Sequence, residues 1–143
     1  MKKILILNGP NLNMLGQREP DIYGDQTLSD IQKMCEDKAA ELEIAIDFRQ
    51  SNDEGELVTW IQEALESCDG VIINAAAYTH TSVAIHDALK LLSVPIIEVH
   101  LSDPSKREDF RHHSYIESLA KEVIKGQGAQ GYVLALERFS TIL

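Results

Sequence analysis

The stretch ILILNGPNLN, residues 4–13, decides the fold. Its first four residues are apolar, and the turn-forming residues Asn8, Gly9 and Pro10 follow directly. A short apolar run that ends at turn residues is typical of a β-strand buried on both faces of a sheet. The run is too short for a signal peptide or a membrane span, so it predicts a buried strand and neither a targeting segment nor a membrane partner.

Apolar runs of this kind alternate with segments of helical periodicity along the rest of the chain. Strands that alternate with helices in this way pair in parallel through right-handed crossovers. The pattern therefore predicts an α/β protein with a flavodoxin-like, doubly wound five-stranded parallel sheet, helices on both faces, and a single domain over residues 1–143. The predicted strands are 4–7, 44–49, 71–73, 96–99 and 120–124, and the predicted helices are 27–42, with Thr27 as N-cap, 57–65, 83–92 and 129–139.

The composition narrows the class of protein. A chain of 143 residues, 44% of them hydrophobic and 25% charged, suits one globular domain that needs no disulfide or metal to hold it together. The formal net charge of −10 argues against a nucleic-acid partner. Cys35 and Cys68 lie in helix-like segments without CxxC spacing, which predicts two buried, reduced thiols and a cytoplasmic location. An anionic ligand would need positive charge gathered locally against this acidic background.

Polar residues collect where the predicted strands end. In open α/β sheets, ligands bind beyond the carboxyl ends of the strands. Asn11, Asn74, His80 and His100 all fall at this edge, and capping or turn formation does not account for all four, so together they predict a site. Two further residues at the edge, Ser51 and Asn52, are better explained by caps and turns.

Basic residues are placed unevenly in the two longest loops, 9–26 and 101–115, which leave the same edge of the predicted sheet. Arg18 lies in the first loop. In the second loop, Arg107 and Arg111 predict an anion site, because a guanidinium can hold a carboxylate through two parallel hydrogen bonds. The other basic side chains of the second loop are expected to form an exposed run: Lys106, His112 and His113.

Four ordered sequence blocks cover most of the chain. They are ILILNGPNLN with Gly16, REP at 18–20 and YG at 23–24; FRQSN at 48–52 with EGEL at 54–57; Asn74 with AYTHTSVA at 77–84; and EVHLS at 98–102 with RE at 107–108 and FRHHS at 110–114. Together, from about residue 4 to residue 136, these blocks resemble the motifs of the type II 3-dehydroquinate dehydratases, also called type II dehydroquinases.

This resemblance implies a lyase that needs no cofactor. The family removes water from 3-dehydroquinate to give 3-dehydroshikimate, by trans elimination through an enolate intermediate. The reaction serves the shikimate pathway to the aromatic amino acids, or quinate breakdown, and it requires no metal, nucleotide or lysine Schiff base. The resemblance also implies a homododecamer built from four trimers, so the expected partners are a small carboxylated substrate and further copies of the chain.

The resemblance implies a role for each matched site residue. Tyr23 would take the proton next to the ketone, and His100, oriented by Glu98, would protonate the departing hydroxyl. Arg18 would stabilise the charged transition state and favour the tyrosinate, while Asn11 would help hold a water near the enolate oxygen. Asn74, His80 and Arg111 would bind the substrate hydroxyls. The backbone of Leu101 and Ser102 would cradle the carboxylate. Asp87 would act across a subunit contact, and Arg107 would supply a further guanidinium.

Elementary chemistry supports this division of roles. An unperturbed tyrosine has a pKa of about 10, so roughly one in a thousand is ionised at neutral pH, and a nearby guanidinium favours the phenolate. Arg18 lies five residues before Tyr23, so one loop carries both. Hydroxide is a poor leaving group and needs a proton donor. The Glu98-x-His100 spacing places both side chains on one face of a strand end.

Several positions depart from the family pattern without removing an implied catalytic group: Asp53 for His, Ala75-Ala76 for Pro-Gly, His86 for Arg, and Asp103-Pro104 for a stretch that begins with Asn. Pro104 constrains the backbone beside the expected carboxylate cradle. These departures leave open a degenerate family member kept for assembly, which the intact Arg18, Tyr23 and His100 oppose. The fold class alone also admits a module that binds FMN or a nucleotide.

The run GQGAQG at 126–131 fits the G-x-G-x-x-G dinucleotide motif. It falls in the last unit of the chain, and only twelve residues follow it, fewer than the spacing to the acidic residue of a dinucleotide site requires. We therefore interpret these glycines as permitting a tight start of the last helix against the sheet. The histidines and cysteines show no metal-ligand spacing.

Overall fold

A computed structural model describes residues 1–17, 21 and 25–143. Five strands form one parallel sheet in the order β2-β1-β3-β4-β5. This is the flavodoxin-like strand order, so the predicted fold class is confirmed. The strands are β1 (Lys3–Asn8), β2 (Ala45–Gln50), β3 (Gly70–Asn74), β4 (Ile96–His100) and β5 (Glu122–Lys125).

Helices cover both faces of the sheet, as predicted. Along β1, Ile4 and Ile6 pack into one core with the first and last helices, whereas Leu5 and Leu7 pack into a second core with the other two. This alternation follows from the two-residue period of a strand, and it explains why β1 is apolar on both sides. In the described residues the helices are α1 (Leu28–Leu42), α2 (Glu54–Glu63), α3 (Val83–Lys90) and α4 (Gln130–Ile142).

Helix starts follow local side-chain chemistry. Thr27 Oγ1 accepts from the Asp30 backbone N–H at 3.1 Å, and Asp30 Oδ2 accepts from the Thr27 N–H at 3.0 Å, so the predicted cap is one half of a capping box. Asp53 and Ser82 cap α2 and α3 in the simpler way. Asp53, a departure from the family pattern, therefore has a structural role at the start of α2.

Two glycines permit close backbone approaches that position the site. A Cβ on Gly9 would lie 2.3 Å from the Ala75 carbonyl oxygen, so only glycine allows the turn after β1 to pass the end of β3. A Cβ on Gly131 would lie 3.3 Å from Val99 Cγ1 and 3.4 Å from Ile124 Cγ2, which brings the first turn of α4 close to the sheet. The second contact supports the structural interpretation of the glycine run.

The two cysteines differ in environment. Both are free, and Cys35 is buried in α1 as predicted. Cys68 is only partly buried and lies in the connection before β3, so its expected placement in a helix was wrong. The helical pattern of residues 57–65 stops before Cys68 because α2 ends at Glu63 and a series of turns follows. In the part of the chain that the structure describes, no helix is both long and apolar enough to cross a membrane.

Candidate active site at the carboxyl edge of the sheet

A pocket of about 140 Å³ opens at the carboxyl edge of the sheet, above β1, β3 and β4. This is the edge at which open α/β sheets generally bind ligands. Two predicted residues do not line it: Glu98 is buried and hydrogen-bonds His100, and Asp87 is exposed on α3. Arg18 and Tyr23 lie outside the described residues. The predicted site residues that line this pocket are Asn11, Asn74, His80, His100, Leu101, Ser102, Arg107 and Arg111.

The loop after β1 places Asn11 at the pocket by an unusual backbone conformation. Asn11 has φ 69°, in the left-handed region that asparagine tolerates better than most residues. Its backbone N–H donates to Asn52 Oδ1 at 2.9 Å, and the Gln50 side chain donates to the same oxygen at 3.1 Å. Asn52, which the sequence assigned to a cap or turn, thus holds the loop that carries Asn11. Ser51 accepts from the Asp53 N–H and fits the turn interpretation.

His100 and Glu98 form a buried pair. His100 Nε2 lies 2.5 Å from Glu98 Oε2, and Glu98 is wholly inaccessible to solvent. Burial raises the pKa of Glu98, but hydrogen bonds from His100, Ser114 and Thr79, together with the charge of His100, outweigh burial and leave that pKa below its ordinary value. An ionised carboxylate only accepts, so Nε2 carries a hydrogen. Nδ1 is therefore the ring nitrogen available to exchange a proton with a ligand.

Two hydroxyls complete what we call the carboxylate network: Glu98, His100, Thr79 and Ser114. Thr79 Oγ1 and Ser114 Oγ each lie 2.8 Å from Glu98 Oε2, whereas buried Oε1 has no partner among the described residues. Ser114 Oγ accepts from the Ile116 and Glu117 N–H groups, so its own proton points to the carboxylate. Sequence reasoning missed both hydroxyls, and the available signal was the rule that a buried carboxylate needs donors.

His80 is tied to the second loop. Its Nδ1 donates to the His113 carbonyl at 2.8 Å. Burial lowers the pKa of His80, and the nearby charges of His100 and Arg111 lower it further against the opposing effect of that hydrogen bond. The ring is therefore neutral near pH 7. With the proton on Nδ1, His80 Nε2 is an acceptor, which suits a substrate hydroxyl that donates.

The two predicted arginines give this pocket its positive charge. Arg107 Nη1 lies 3.5 Å from Ser102 Oγ, and Arg111 Nε donates to Glu108 at 3.0 Å. Both arginines line the pocket. Glu108 Oε1 lies 3.8 Å from Arg107 Nε and 3.0 Å from Arg111 Nε, so these three side chains together carry one net positive charge in a protein of net charge −10. The other basic side chains of this loop are exposed, as predicted: Lys106, His112 and His113.

The turn after β4 is held from the glycine run. The Gly128 N–H donates to the Leu101 carbonyl at 2.9 Å, and the Gly126 N–H donates to the Ser102 carbonyl at 3.1 Å. Asp103 caps the short helix Pro104–Lys106 that follows, with its Oδ1 accepting from the Ser105 N–H. The Asp103-Pro104 departure therefore forms a regular turn, with Leu101 and Ser102 still at the pocket.

Asn74 belongs to a second buried cluster, which we call the amide network: Asn8, Asn74 and Tyr132. The Tyr132 hydroxyl donates to Asn8 Oδ1 at 2.6 Å and accepts from Asn74 Nδ2 at 3.0 Å. Sequence reasoning treated Asn8 as a turn residue and gave Tyr132 no role. A larger open groove of about 510 Å³ lies between β5 and α4, but Arg138 and Glu122 in it pair with each other.

Fold and site together define a flavodoxin-like α/β protein with a small polar pocket suited to an anionic ligand. Among residues 1–17, 21 and 25–143, no group of three or more His, Cys, Asp or Glu side chains is placed to hold a metal ion. The pocket offers a buried imidazole–carboxylate pair, two guanidinium groups and side-chain amides, which are the groups of acid–base chemistry on a polar substrate.

The chain belongs to the family described as dehydroquinase class II, whose model matches residues 2–140. It is 57% identical over 141 residues to a 3-dehydroquinate dehydratase of Brucella canis. This match covers 99% of this chain and 90% of the relative. The crystal structure of type II dehydroquinase from Propionibacterium acnes matches with a TM-score of 0.95 at 43% identity, covering 99% of this chain and 97% of that one. The enzyme from Butyrivibrio crossotus matches at 0.94 and 44%, covering 96% of each chain.

Proposed function

We propose that this chain dehydrates 3-dehydroquinate to 3-dehydroshikimate, by trans elimination through an enolate intermediate. The observation that carries the proposal is the buried His100–Glu98 pair at a pocket with two guanidinium groups, in a chain of the dehydroquinase class II family. The relative from Brucella canis bears the name of this activity. The reaction belongs to the shikimate pathway to the aromatic amino acids, or to quinate breakdown.

The first half of the reaction removes a proton from the carbon next to the ketone. The Tyr23 phenolate takes this proton, and the electron pair moves onto the ketone oxygen to form the enolate. Arg18 favours the phenolate and stabilises the developing negative charge. Asn11 holds a water near the enolate oxygen, and the Asn52 side chain, which binds the Asn11 backbone, supports that position.

The second half expels the hydroxyl as water. The enolate electron pair returns to form the carbon–carbon double bond, the carbon–oxygen bond breaks, and His100 donates its Nδ1 proton to the leaving oxygen. Tyr23 ends the cycle with one additional proton and His100 with one fewer, so a proton must return from Tyr23 to His100 through solvent. Glu98 holds the ring so that Nδ1 remains the exchangeable position, and Thr79 and Ser114 keep Glu98 ionised.

Substrate binding divides between hydroxyl contacts and a carboxylate cradle. Asn74, His80 and Arg111 bind the substrate hydroxyls, with neutral His80 as an acceptor at Nε2. The carboxylate binds at the turn after β4, which the glycine run holds in place. Arg107, which touches the Ser102 hydroxyl, supplies positive charge beside that turn. The residues of the turn that form the cradle are Leu101 and Ser102.

Assembly completes the proposal. We propose a homododecamer of four trimers of single-domain subunits, in the cytoplasm, with Asp87 acting at the pocket of a neighbouring subunit. One surface feature supports this: Val83 and Asp87 of α3 and Leu91, the residue that ends the helix, lie one turn apart on one face, and Val83 and Leu91 are 52% and 59% exposed. Exposed apolar patches rimmed by polar residues mark protein–protein contacts, and these two side chains contribute apolar surface on both sides of Asp87.

The test follows the conjugated enone of the product by its ultraviolet absorbance. Pure protein mixed with 3-dehydroquinate is expected to generate the enone, and treatment with EDTA is expected to leave the rate unchanged. Tyr23→Phe should abolish turnover, while the matched variant Tyr115→Phe should retain it. No enone from folded protein, or a rate lost to EDTA, would contradict the proposal.

A further inference from the structure

The amide network depends on the register between β1 and β3. Asn8 and Asn74 are the last residues of β1 and β3, and they lie directly opposite each other in the parallel pairing. Their side chains extend from the same face of the sheet, toward α4, where Tyr132 places its hydroxyl between them. All three side chains are buried, with 0%, 3% and 0% exposure for Asn8, Asn74 and Tyr132.

Backbone groups fix the direction of every hydrogen bond in this network. Asn8 Nδ2 lies 3.0 Å from the Arg49 carbonyl, which can only accept, so the amide nitrogen of Asn8 must point there. Asn8 Oδ1 therefore faces Tyr132. An amide oxygen also only accepts, so the Tyr132 hydroxyl must donate to it, across 2.6 Å.

The opposite end of the network gives the same direction independently. The Ala76 backbone N–H lies 3.1 Å from the side chain of Asn74 and can only donate, so it must meet Oδ1. Asn74 Nδ2 then faces Tyr132 and donates a hydrogen bond to the tyrosine hydroxyl oxygen. From Ala76 to Arg49 all four hydrogen bonds run in one direction, an arrangement in which each bond polarises the next.

One group is left over at the pocket. Asn74 Oδ1 is occupied by Ala76 and one Nδ2 hydrogen by Tyr132, so the second Nδ2 hydrogen has no partner among the described residues. Asn74 lines the pocket. We infer that Tyr132 is a positioning residue, which clamps Asn74 so that it offers the substrate an N–H donor and selects an oxygen that accepts. This inference rests on the proposed function for the identity of the substrate.

Packing alone does not account for the hydroxyl. Tyr132 is fully buried among apolar residues of α1, α4 and the sheet, where phenylalanine would fill nearly the same space. The hydroxyl hydrogen-bonds only the two asparagines among the described residues. The substitution Tyr132→Phe therefore removes one oxygen atom, and with it the hydrogen bonds to Asn8 and Asn74.

The first test separates positioning from stability. In steady-state turnover of 3-dehydroquinate, Tyr132→Phe is expected to raise KM about tenfold with kcat nearly unchanged, because a contact to a substrate hydroxyl is lost equally from the bound substrate and the transition state. Ser82→Ala, which removes a buried hydrogen bond to the Ile85 N–H outside the pocket, is the control for lost stability. It should leave KM within about twofold of the starting protein. An unchanged KM in Tyr132→Phe overturns the inference.

A double-mutant cycle locates the effect. If Tyr132 acts through Asn74, then adding Tyr132→Phe to Asn74→Ala should change KM by less than about twofold, because the clamped group is already absent. Multiplying effects in the double variant would show that the tyrosine acts elsewhere and would overturn the inference.

A third measurement does not depend on turnover. In NMR spectra of the unmodified protein, one side-chain amide proton of Asn74 should exchange slowly and the other should shift when 3-dehydroshikimate is added. Equal, rapid exchange of both protons overturns the clamp, whether or not Tyr132→Phe folds. Absence of turnover by the unmodified protein contradicts the proposed function instead, and the exchange rates then decide the clamp alone.

Discussion

Two buried networks lie beneath the pocket, on opposite faces of the sheet, and they use opposite electrostatics. The carboxylate network on the α2–α3 side gathers three donors on one charged oxygen, Glu98 Oε2. The amide network on the α4 side is neutral, and each of its bonds pairs one donor with one acceptor. An ionised carboxylate is needed beside His100, which is proposed to transfer a proton. Neutral hydrogen bonds are sufficient to orient Asn74, which is proposed to bind the substrate. We therefore expect the stability contributed by the carboxylate network to depend on pH, and that contributed by the amide network to be independent of pH.

The largest expected effect comes from removing the acid itself. His100→Gln should lower kcat by about a thousandfold, because general acid catalysis contributes factors of this order. The enone assay at saturating substrate measures it. The matched variant His113→Gln changes an exposed histidine of the second loop and should keep kcat within about twofold. If His100→Gln retained more than about a tenth of kcat, His100 would not be the group that protonates the hydroxyl.

The next effect concerns stability and its pH dependence. Thr79→Val keeps the shape of a fully buried side chain but removes a donor from Glu98, and it should cost about 2 kcal/mol of unfolding free energy at pH 7. The pKa of Glu98 in the folded protein lies below its ordinary value, so its ionisation adds stability above the unfolded pKa, which is lost as pH falls through the folded pKa. Losing a donor raises the folded pKa, so Thr79→Val should lose this stability at a higher pH than the unmodified protein.

Urea unfolding across the acid range measures this shift. Burial lowers the pKa of His80, so protonation of His80 also destabilises both proteins as pH falls through the ordinary histidine range, and the two proteins are compared at pH values below it. Thr141→Val, an exposed threonine of α4, is the matched control and should change the unfolding free energy by less than about 0.5 kcal/mol. An identical acid profile for Thr79→Val and the unmodified protein would refute the role given to the hydroxyl.

The sequence predicted the parts of this site that depend on strand order, and not the parts that depend on distant contacts. Short strand-like segments of three to six residues predicted the sheet, and the carboxyl edge of that sheet then grouped Asn11, Asn74 and His100. The hydroxyls of Thr79 and Ser114 meet at Glu98 from segments 19 and 16 residues away in sequence. No periodicity encodes such meetings, because they depend on how a loop folds back across a finished sheet.

The role of Tyr132 also depends on contacts that are distant in sequence. Tyr132 is wholly buried in the last helix, and a buried tyrosine generally finds a hydrogen-bond partner. The partners, however, are 124 and 58 residues away, at the ends of β1 and β3. They become predictable only when the close start of α4 against the sheet is known, and that approach depends on Gly131.

The smallest expected effect completes the comparison through the amide network. Tyr132→Phe should lower the unfolding free energy by about 1 kcal/mol, since one hydroxyl is lost and two buried amide groups each lose a partner. No charged group belongs to this network, so the loss should be the same at pH 5 as at pH 8, in contrast to Thr79→Val. Urea unfolding at both values measures it, with Tyr115→Phe as the matched control. A loss that grew toward acid pH would mean that the two networks are coupled through the pocket, because only coupling to Glu98 or a histidine gives a neutral substitution a pH dependence.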